Sequence, residues 1–163
     1  MKRITLVILM LGVVFAGYAK GGKCKRRHMS ARKIVSVGIR RTVCFGSCPE
    51  YSIEITKKGI ITYTGKRFTK DTGIFEKNIG REAAKKIIDL YVQYRVDTCQ
   101  DTYENMIPDL PGLIVTVNFK RCKKTIYNAG FGPKYLEFIA SKVDAVGIKK
   151  DASWIKTGMP DLK

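Results

Sequence analysis

The residues with the clearest capacity for chemistry are two cysteines, Cys44 and Cys48, in the stretch RRTVCFGSCPEYSIEI. In an extended chain their α-carbons would lie about 13 Å apart, well beyond the roughly 4.4–6.8 Å that a disulfide tolerates. The intervening Phe-Gly-Ser must therefore turn, and Gly46 favours a turn because glycine reaches backbone conformations closed to other residues. The pair is consistent with a structural disulfide, a reactive thiol pair or half of a metal site.

The spacing and surroundings of this pair favour the structural disulfide. Redox-active cysteines usually have the spacing C-x-x-C and open a helix whose N-terminus stabilises a thiolate, whereas here the spacing is C-x3-C and a predicted strand follows. Structural zinc normally takes four Cys or His ligands, and His28 is the sole histidine of the chain. We therefore predict a Cys44–Cys48 disulfide and no metal site, with a thiol-disulfide redox protein as the alternative function.

The chain holds three further cysteines, Cys24, Cys99 and Cys122. Cys99 lies in a predicted loop and Cys122 at a predicted hairpin tip, so that either could pair with the other or with Cys24. We favour a Cys99–Cys122 bridge, which would stabilise the fold more than the short Cys44–Cys48 bridge because it closes a longer loop. Cys24 would then be unpaired.

Residues suited to acid–base or nucleophilic catalysis are sparse. A Ser-His-Asp or Cys-His arrangement needs a histidine beside the nucleophile, and His28 lies in a predicted flexible leader. The carboxylates of Asp97, Asp101 and Glu104 share one loop, but this loop lacks the regular oxygen-ligand spacing of a calcium loop. The GFG at 130–132 could offer backbone amides to an anion, although it also serves as a plain helix entry. We predict no catalytic residue and no cofactor, and favour a non-enzymatic protein.

The pattern of apolar residues predicts the elements that position these side chains. Apolar and polar residues alternate through IVSVGIR, YSIEIT and IITYTG, which predicts three strands, the last two joined at Gly59. The remaining elements are a short strand IFEKNI, a helix REAAKKIIDLYVQYR, a long loop at 97–112, a hairpin of 113–119 with 124–128, and a helix from Pro133 to Gly147. We predict an α+β fold, an antiparallel sheet of two hairpins with two amphipathic helices packed on one face.

The N-terminal residues predict export. Two cations, an apolar run and then small residues are typical of a secretory signal peptide over 1–19, and the apolar run is shorter than the roughly 20 residues of a transmembrane anchor. A lipid anchor at Cys24 is disfavoured because Lys23 precedes it. We predict a flexible basic leader at 20–32, one domain at 33–155, a tail at 156–163 and a periplasmic or secreted location, with no membrane anchor after cleavage.

The chain is strongly basic, with 31 Lys and Arg against 14 Asp and Glu. Such a charge attracts anionic polymers, although it also keeps a solvated surface soluble. We predict an exported envelope or secreted binding or structural module that contacts an anionic envelope polymer or a protein partner. The candidate contact residues are cations at predicted hairpin ends: Lys57, Lys58, Lys66, Arg67, Arg121, Lys123 and Lys124.

A nucleic-acid role is disfavoured. Aromatic residues that could stack on bases occur among basic residues on the predicted strands: Tyr51, Tyr63, Phe68, Phe119 and Tyr127. However, Tyr51 shares a strand face with Ile53 and Ile55, which indicates a core position, and export lowers the expectation of a nucleic-acid partner.

One motif also carries a resemblance. RTVCFGSCPEYSIEI from Arg41, followed by GIITYTG from Gly59, resembles a family of bacterial exported domains catalogued as a domain of unknown function, numbered 6438. The likeness continues through DLPG, GPKYL and DASW, so that it covers roughly residues 34–155. The resemblance implies an envelope or secreted location and carries no assigned activity. Cys99 and Cys122 are not part of its signature, which makes their predicted bridge an addition of this chain.

Overall fold

The computed structural model of the chain describes residues 22–23, 30–104, 110–148 and 151–161. The predicted signal peptide at 1–19 lies outside the described residues, as do Cys24 and His28 of the predicted leader. Neither of the two α-helices in the described part of the chain is long and apolar enough to cross a bilayer.

The described residues form nine β-strands and two α-helices. The strands are β1 (Gly22–Lys23), β2 (Ile34–Arg41), β3 (Tyr51–Thr56), β4 (Ile60–Gly65), β5 (Gly73–Asn78), β6 (Thr102–Tyr103), β7 (Leu113–Phe119), β8 (Cys122–Asn128) and β9 (Ile155–Gly158). The helices are α1 (Arg81–Gln93) and α2 (Lys134–Gly147). The predicted α+β class is confirmed.

Eight strands follow one another in the sheet in the order β1-β8-β7-β2-β3-β4-β5-β9, and β6 pairs beside β8. Strands β2 to β5 form an antiparallel meander, and the β7–β8 hairpin adds to the free side of β2. The short strands β1 and β6 pair with β8 in parallel. The sheet is therefore larger than the two hairpins read from the sequence, because β2 joins them into one layer.

Strand β9 extends the sheet beyond the predicted domain boundary at residue 155. It pairs antiparallel with β5, with Ile155 opposite Glu76 and Gly158 opposite Ile74. Residues 155–157 are exposed, so that no alternation of buried and exposed residues marks this strand in the sequence. The ladder of backbone hydrogen bonds is what orders this part of the predicted tail.

Alternate positions of the central strands carry the apolar core. Val37 and Ile39 of β2 are buried, as are their paired residues Ile55 and Ile53 on β3. The helices supply further buried side chains: Ala84, Ile87, Ile88 and Tyr91 from α1, and Leu136, Ile139, Ala140 and Val143 from α2. Each large apolar side chain buried in this way contributes about 1.5–3 kcal/mol to stability.

Two predicted glycine turns have the expected backbone conformation. Gly59, between β3 and β4, has a φ of 94°, which residues with a side chain rarely adopt. Gly46, between Cys44 and Cys48, has a φ of 151°. The chain therefore reverses at both positions for the reason that the sequence indicates.

Candidate functional site

The predicted Cys44–Cys48 disulfide is present in the loop that joins β2 to β3. The two α-carbons lie 5.6 Å apart, and the amide of Gly46 donates a hydrogen bond to the Cys44 carbonyl oxygen at 2.8 Å. The bridge closes a loop of five residues beside the ends of two central strands. It therefore holds the local geometry of this loop.

Hydrogen bonds attach this loop to its neighbours on both sides. On one side, Thr42 and Gly112 exchange two hydrogen bonds of 2.9 Å, from the Thr42 amide and from the Gly112 amide. On the other side, the Glu50 amide donates to the Arg67 carbonyl oxygen at 2.8 Å, and the Lys66 amide donates to the Glu50 carbonyl oxygen at 2.9 Å. The loop is thus held at both ends.

The two arginines of the motif make ion pairs in different directions. Arg40 Nη2 lies 2.7 Å from Glu50 Oε1, and this pair spans the base of the disulfide loop. Arg41 reaches helix α2, where its guanidinium contacts Glu137 at 2.8 Å and Asp144 at 3.0 Å. Tyr51 donates its hydroxyl proton to Asp144 at 2.9 Å. The motif therefore fastens the loop to the sheet and the sheet to α2.

The protonation states in this cluster are stable. Burial alone would lower the pKa of Arg41, but its hydrogen bonds to Asp144 and Glu137 raise the pKa above its usual value. Burial raises the pKa of the Tyr51 phenol, and the charge and hydrogen bond of Asp144 raise it further. Arg41 thus stays charged and Tyr51 neutral at physiological pH.

One row of paired residues marks the end of the sheet from which the disulfide loop leaves. The row runs across six strands through Asn128, Leu113, Arg41, Tyr51, Gly65 and Gly73. Four loop segments leave the sheet beside this row, at 42–50, 66–72, 110–112 and 129–133. We call these four segments together the loop end.

The loop end presents phenylalanines to solvent. Phe45 at the tip of the disulfide loop is 91% exposed, Phe68 is 60% exposed and Phe131 is 49% exposed. Phe68 also has a φ of 54°, and a residue with a side chain in this left-handed region costs about 1–3 kcal/mol. The fold thus holds large apolar side chains in water at this end.

The predicted basic residues fall into two groups at opposite ends of the sheet. Lys66 and Arg67 belong to the loop end. Lys57 and Lys58 lie in the β3–β4 turn at the other end, together with Arg121 and Lys123 around the β7–β8 turn. These two turns are separated by three strand spacings, about 14 Å. The structure therefore does not bring the predicted cations into one patch.

Lys124 is engaged within the fold. Its ammonium donates to the Cys99 carbonyl oxygen at 2.6 Å and pairs with the Asp101 carboxylate, and only 15% of its side chain is exposed. Asp97 pairs with Arg95 at 3.1 Å. Asp97 and Asp101 thus face protein cations, and the described residues contain no group of three or more metal-ligating side chains.

The predicted Cys99–Cys122 bridge is wrong. Cys99 is a free thiol, 6% exposed, with its sulfur 3.2 Å from the Tyr135 hydroxyl of α2. Cys122 is disulfide-bonded at the start of β8. The sequence predicts a polar loop at 97–112, whereas in the structure a helical turn at Val96–Thr98 carries Cys99 into the core.

The tyrosines considered for base stacking and the GFG segment considered for anion binding have structural roles. Tyr51 and Tyr63 are 9% and 4% exposed, so that neither ring can stack on a base. At the GFG segment, Asn128 Oδ1 accepts hydrogen bonds from the Gly130 and Gly132 amides at 3.1 and 2.8 Å. These amides are thus occupied, and the segment is an entry to α2.

A shallow groove that the sequence did not indicate lies on the polar face of the sheet. It has a volume of about 320 Å³, and the polar side chains that line it include Arg40, Ser52, Glu54, Thr116 and Asn118. Gly38 lies at its centre, between Glu54 of β3 and Thr116 of β7. The groove depends on β7 pairing with β2, a contact between residues far apart in the chain.

Two polar side chains that line the groove, Glu54 and Asn118, are hydrogen-bonded to Ser36. Ser36, 3% exposed, donates its hydroxyl to Glu54 Oε1 at 2.6 Å and accepts from Asn118 Nδ2 at 2.9 Å. Arg40 is paired with Glu50. The groove can hydrogen-bond a polar molecule, but its Glu54 carboxylate already has protein donors.

Comparison with known proteins identifies a family. The sequence profile described as "Domain of unknown function (DUF6438)" matches residues 35–147, which confirms the predicted family. The matched segment runs from β2 to the end of α2 and includes the disulfide loop. No curated protein and no solved structure matches the chain.

Proposed function

The chain belongs to the family described as a domain of unknown function (DUF6438). Since this description names no activity, we propose the function of the protein from its geometry. It is an exported, non-enzymatic binding module that contacts an anionic partner through the loop end. The observation that carries this proposal is Phe45, which is 91% exposed on a loop closed by a disulfide. A partner can bury a large apolar side chain on a loop that a disulfide already closes with little further loss of loop entropy.

The charge of the loop end supports an anionic partner. Lys66, Arg67 and Lys70 lie in its second segment, and Lys134 follows its last segment. The ion pairs described above are made by other cations, namely Arg40, Arg41, Arg95 and Lys124. Positive charge at a protein surface attracts an anionic surface and speeds the encounter with it.

The cysteines support an oxidising location. Cys44, Cys48 and Cys122 are disulfide-bonded, and such bonds persist in the periplasm or outside the cell but rarely in the cytosol. Together with the signal peptide predicted at 1–19, this favours a periplasmic or secreted protein.

We also infer that both helices pack on one face of the sheet. The buried side chains of α1 and α2 belong to the same apolar cluster as Val37 and Ile39 of β2. The alternate residues Gly38 and Arg40 line the groove. This arrangement leaves the polar face open to solvent and both ends of the sheet accessible.

Salt elution from a sulfated-polysaccharide column tests the proposal with two charge reversals of equal size. Lys66→Glu with Arg67→Glu alters the loop end, and Arg121→Glu with Lys123→Glu alters the opposite end by the same charge. We expect the unaltered protein to bind, the loop-end variant to elute at markedly lower salt, and the matched variant to elute close to the unaltered protein. All four residues lie outside the core, so that circular dichroism should show both variants folded.

If the salt concentration at elution fell equally for both variants, binding could not be assigned to the loop end and would reflect a diffuse attraction by net charge. A protein that passes through the column at physiological salt would contradict the binding function itself.

A thiol-disulfide redox protein is the second candidate, and one observation favours it. Phe45, Gly46 and Ser47, the residues between the two cysteines, are all exposed, so that a reductant can reach the bond. Against it, Cys48 is followed by Pro49 and strand β3 rather than by a helix whose N-terminus would stabilise a thiolate. Opening of the bridge by mild reductant while the fold stays intact would support this candidate, and resistance until unfolding would reject it.

A further inference from the structure

We infer that the loop end docks on an anionic lipid surface, with Phe45, Phe68 and Phe131 entering the boundary between headgroups and acyl chains. This inference rests on the proposed function, because it takes the loop end as the contact surface and names the partner as a bilayer.

The three phenylalanines occupy separate loops along one end of the sheet. Phe45 stands between β2 and β3, Phe68 between β4 and β5, and Phe131 after β8. From β8 to β5 there are five strand spacings, so that the bases of these loops span about 24 Å. A protein interface needs a continuous, closely packed apolar centre, whereas a fluid interface accepts separated side chains one by one. The arrangement favours the bilayer.

Backbone contacts hold each of the three loops in place. The disulfide closes the loop of Phe45, and hydrogen bonds between Glu50 and residues 66–67 precede Phe68. Asn128 Oδ1 accepts from the amides on both sides of Phe131, those of Gly130 and Gly132. The tips are therefore ordered before they meet a membrane, and docking need not order them.

The charges around these tips match anionic headgroups. Lys66 and Arg67 directly precede Phe68, Lys70 follows it, and Lys134 follows Phe131. Of the nearby carboxylates, Glu50 pairs with Arg40 and Asp144 pairs with Arg41. Asp71 lies in the same segment as Lys66, Arg67 and Lys70, and this segment keeps a net positive charge. Cations beside inserting apolar side chains supply the two signals that stable attachment to an anionic leaflet requires.

Vesicle sedimentation tests the inference with the mature protein, whose N-terminus is verified by mass spectrometry so that the signal peptide adds no affinity. Vesicles of phosphatidylglycerol and phosphatidylcholine are compared with vesicles of phosphatidylcholine alone. We expect binding to the anionic vesicles, and at least a tenfold weaker partition for Phe45→Ser with Phe68→Ser. Val35→Ser is the control, because Val35 is 46% exposed on β2 at the opposite end of the sheet, and its loss should change the partition less than twofold.

A second variant reports on insertion itself. Phe45→Trp should shift its emission to shorter wavelength on anionic vesicles and be quenched by brominated acyl chains. Sedimentation that does not depend on Phe45 and Phe68, or a tryptophan that stays in water, would overturn the inference.

The outcomes separate this inference from the proposed function. The protein could fail to bind vesicles and still bind the sulfated polysaccharide with the expected dependence on Lys66 and Arg67. Its partner would then be a soluble polyanion or a protein, and only the lipid inference would be overturned. A protein that binds neither overturns both.

Discussion

At the scale of single residues, the motif that stands out in the sequence is mostly structural. Arg40, Arg41 and Tyr51 use their polar groups on Glu50 and Asp144, and so connect the loop, the sheet and α2. Phe45 lies among them in sequence yet contacts solvent. Within one motif, the residues that build the surface are thus distinct from the residue that the surface presents.

Tyrosine burial predicts a loss of stability at alkaline pH. Burial, reinforced by the charge of Asp144, raises the pKa of Tyr51 and of the fully buried Tyr91 above the usual value of about 10. Above that pH the unfolded chain releases these protons while the folded protein keeps them. The free energy of unfolding should therefore be intact below about pH 10 and fall as the pH rises further.

Urea unfolding between pH 8 and 11 measures this effect, with Tyr51→Phe as the comparison. The variant should lose about 1 kcal/mol at pH 8, where its hydrogen bond to Asp144 is missing, and show a shallower decline above about pH 10. Identical slopes for the two proteins would show that Tyr51 does not contribute to the decline.

At the scale of elements, the disulfide loop is held more by its neighbours than by its own bridge. The loop has hydrogen bonds to Gly112 on one side and to residues 66–67 on the other. A bridge that spans four positions removes little freedom from the unfolded chain, because the closed loop is short. The bridge therefore acts mainly on the loop tip.

Replacing Cys44 and Cys48 by serine should lower the free energy of unfolding by about 2 kcal/mol, the value for so short a loop in the chain-entropy model. The strands should persist, while amide hydrogen exchange quickens at 43–48 and binding to the anionic column weakens. Circular dichroism, urea unfolding and exchange measure these three effects. A global loss of structure would contradict the local role of the bridge.

At the scale of the whole molecule, β8 is held along its outer side by two short strands from distant parts of the chain. Gly22 pairs with Cys122 at one end of β8, and Tyr103 pairs with Asn128 at the other. The residues that protect this edge thus come from before β2 and from the segment after α1. The disulfide of Cys122 lies at the same corner as β1.

The cysteine count predicts the partner of Cys122. Of the five cysteines, Cys44 and Cys48 bond to each other and Cys99 is free, so that Cys24 is the one that remains in the sequence. A non-reducing peptide map of the mature protein should join the peptides of Cys24 and Cys122 and recover Cys99 as a thiol. A Cys24–Cys122 bridge would close a loop of about 100 residues, and such a loop stabilises a fold by about 4.7 kcal/mol in the chain-entropy model. A Cys122–Cys122 link between chains would contradict the prediction and indicate a dimer.

The sequence by itself determined the features that depend on neighbouring residues. Alternation located β2, β3 and β4, helical periodicity located α1 and α2, and the glycine between two close cysteines predicted the loop and its bridge. These follow from local backbone preferences and from the period of the side chains, which a short window of sequence contains.

Only the tertiary structure decided which distant residues meet. Pairing of β7 with β2 created the groove, and a helical turn carried Cys99 into the core away from Cys122. Strands β2, β4 and β8 run in the same direction, which brings Phe45, Phe68 and Phe131 after them to one end, whereas Lys57 follows the antiparallel strand β3 at the other end. Contacts of this kind depend on how strands are ordered across a sheet. That order is selected by the burial of the whole apolar face, a property that no single segment of the chain contains.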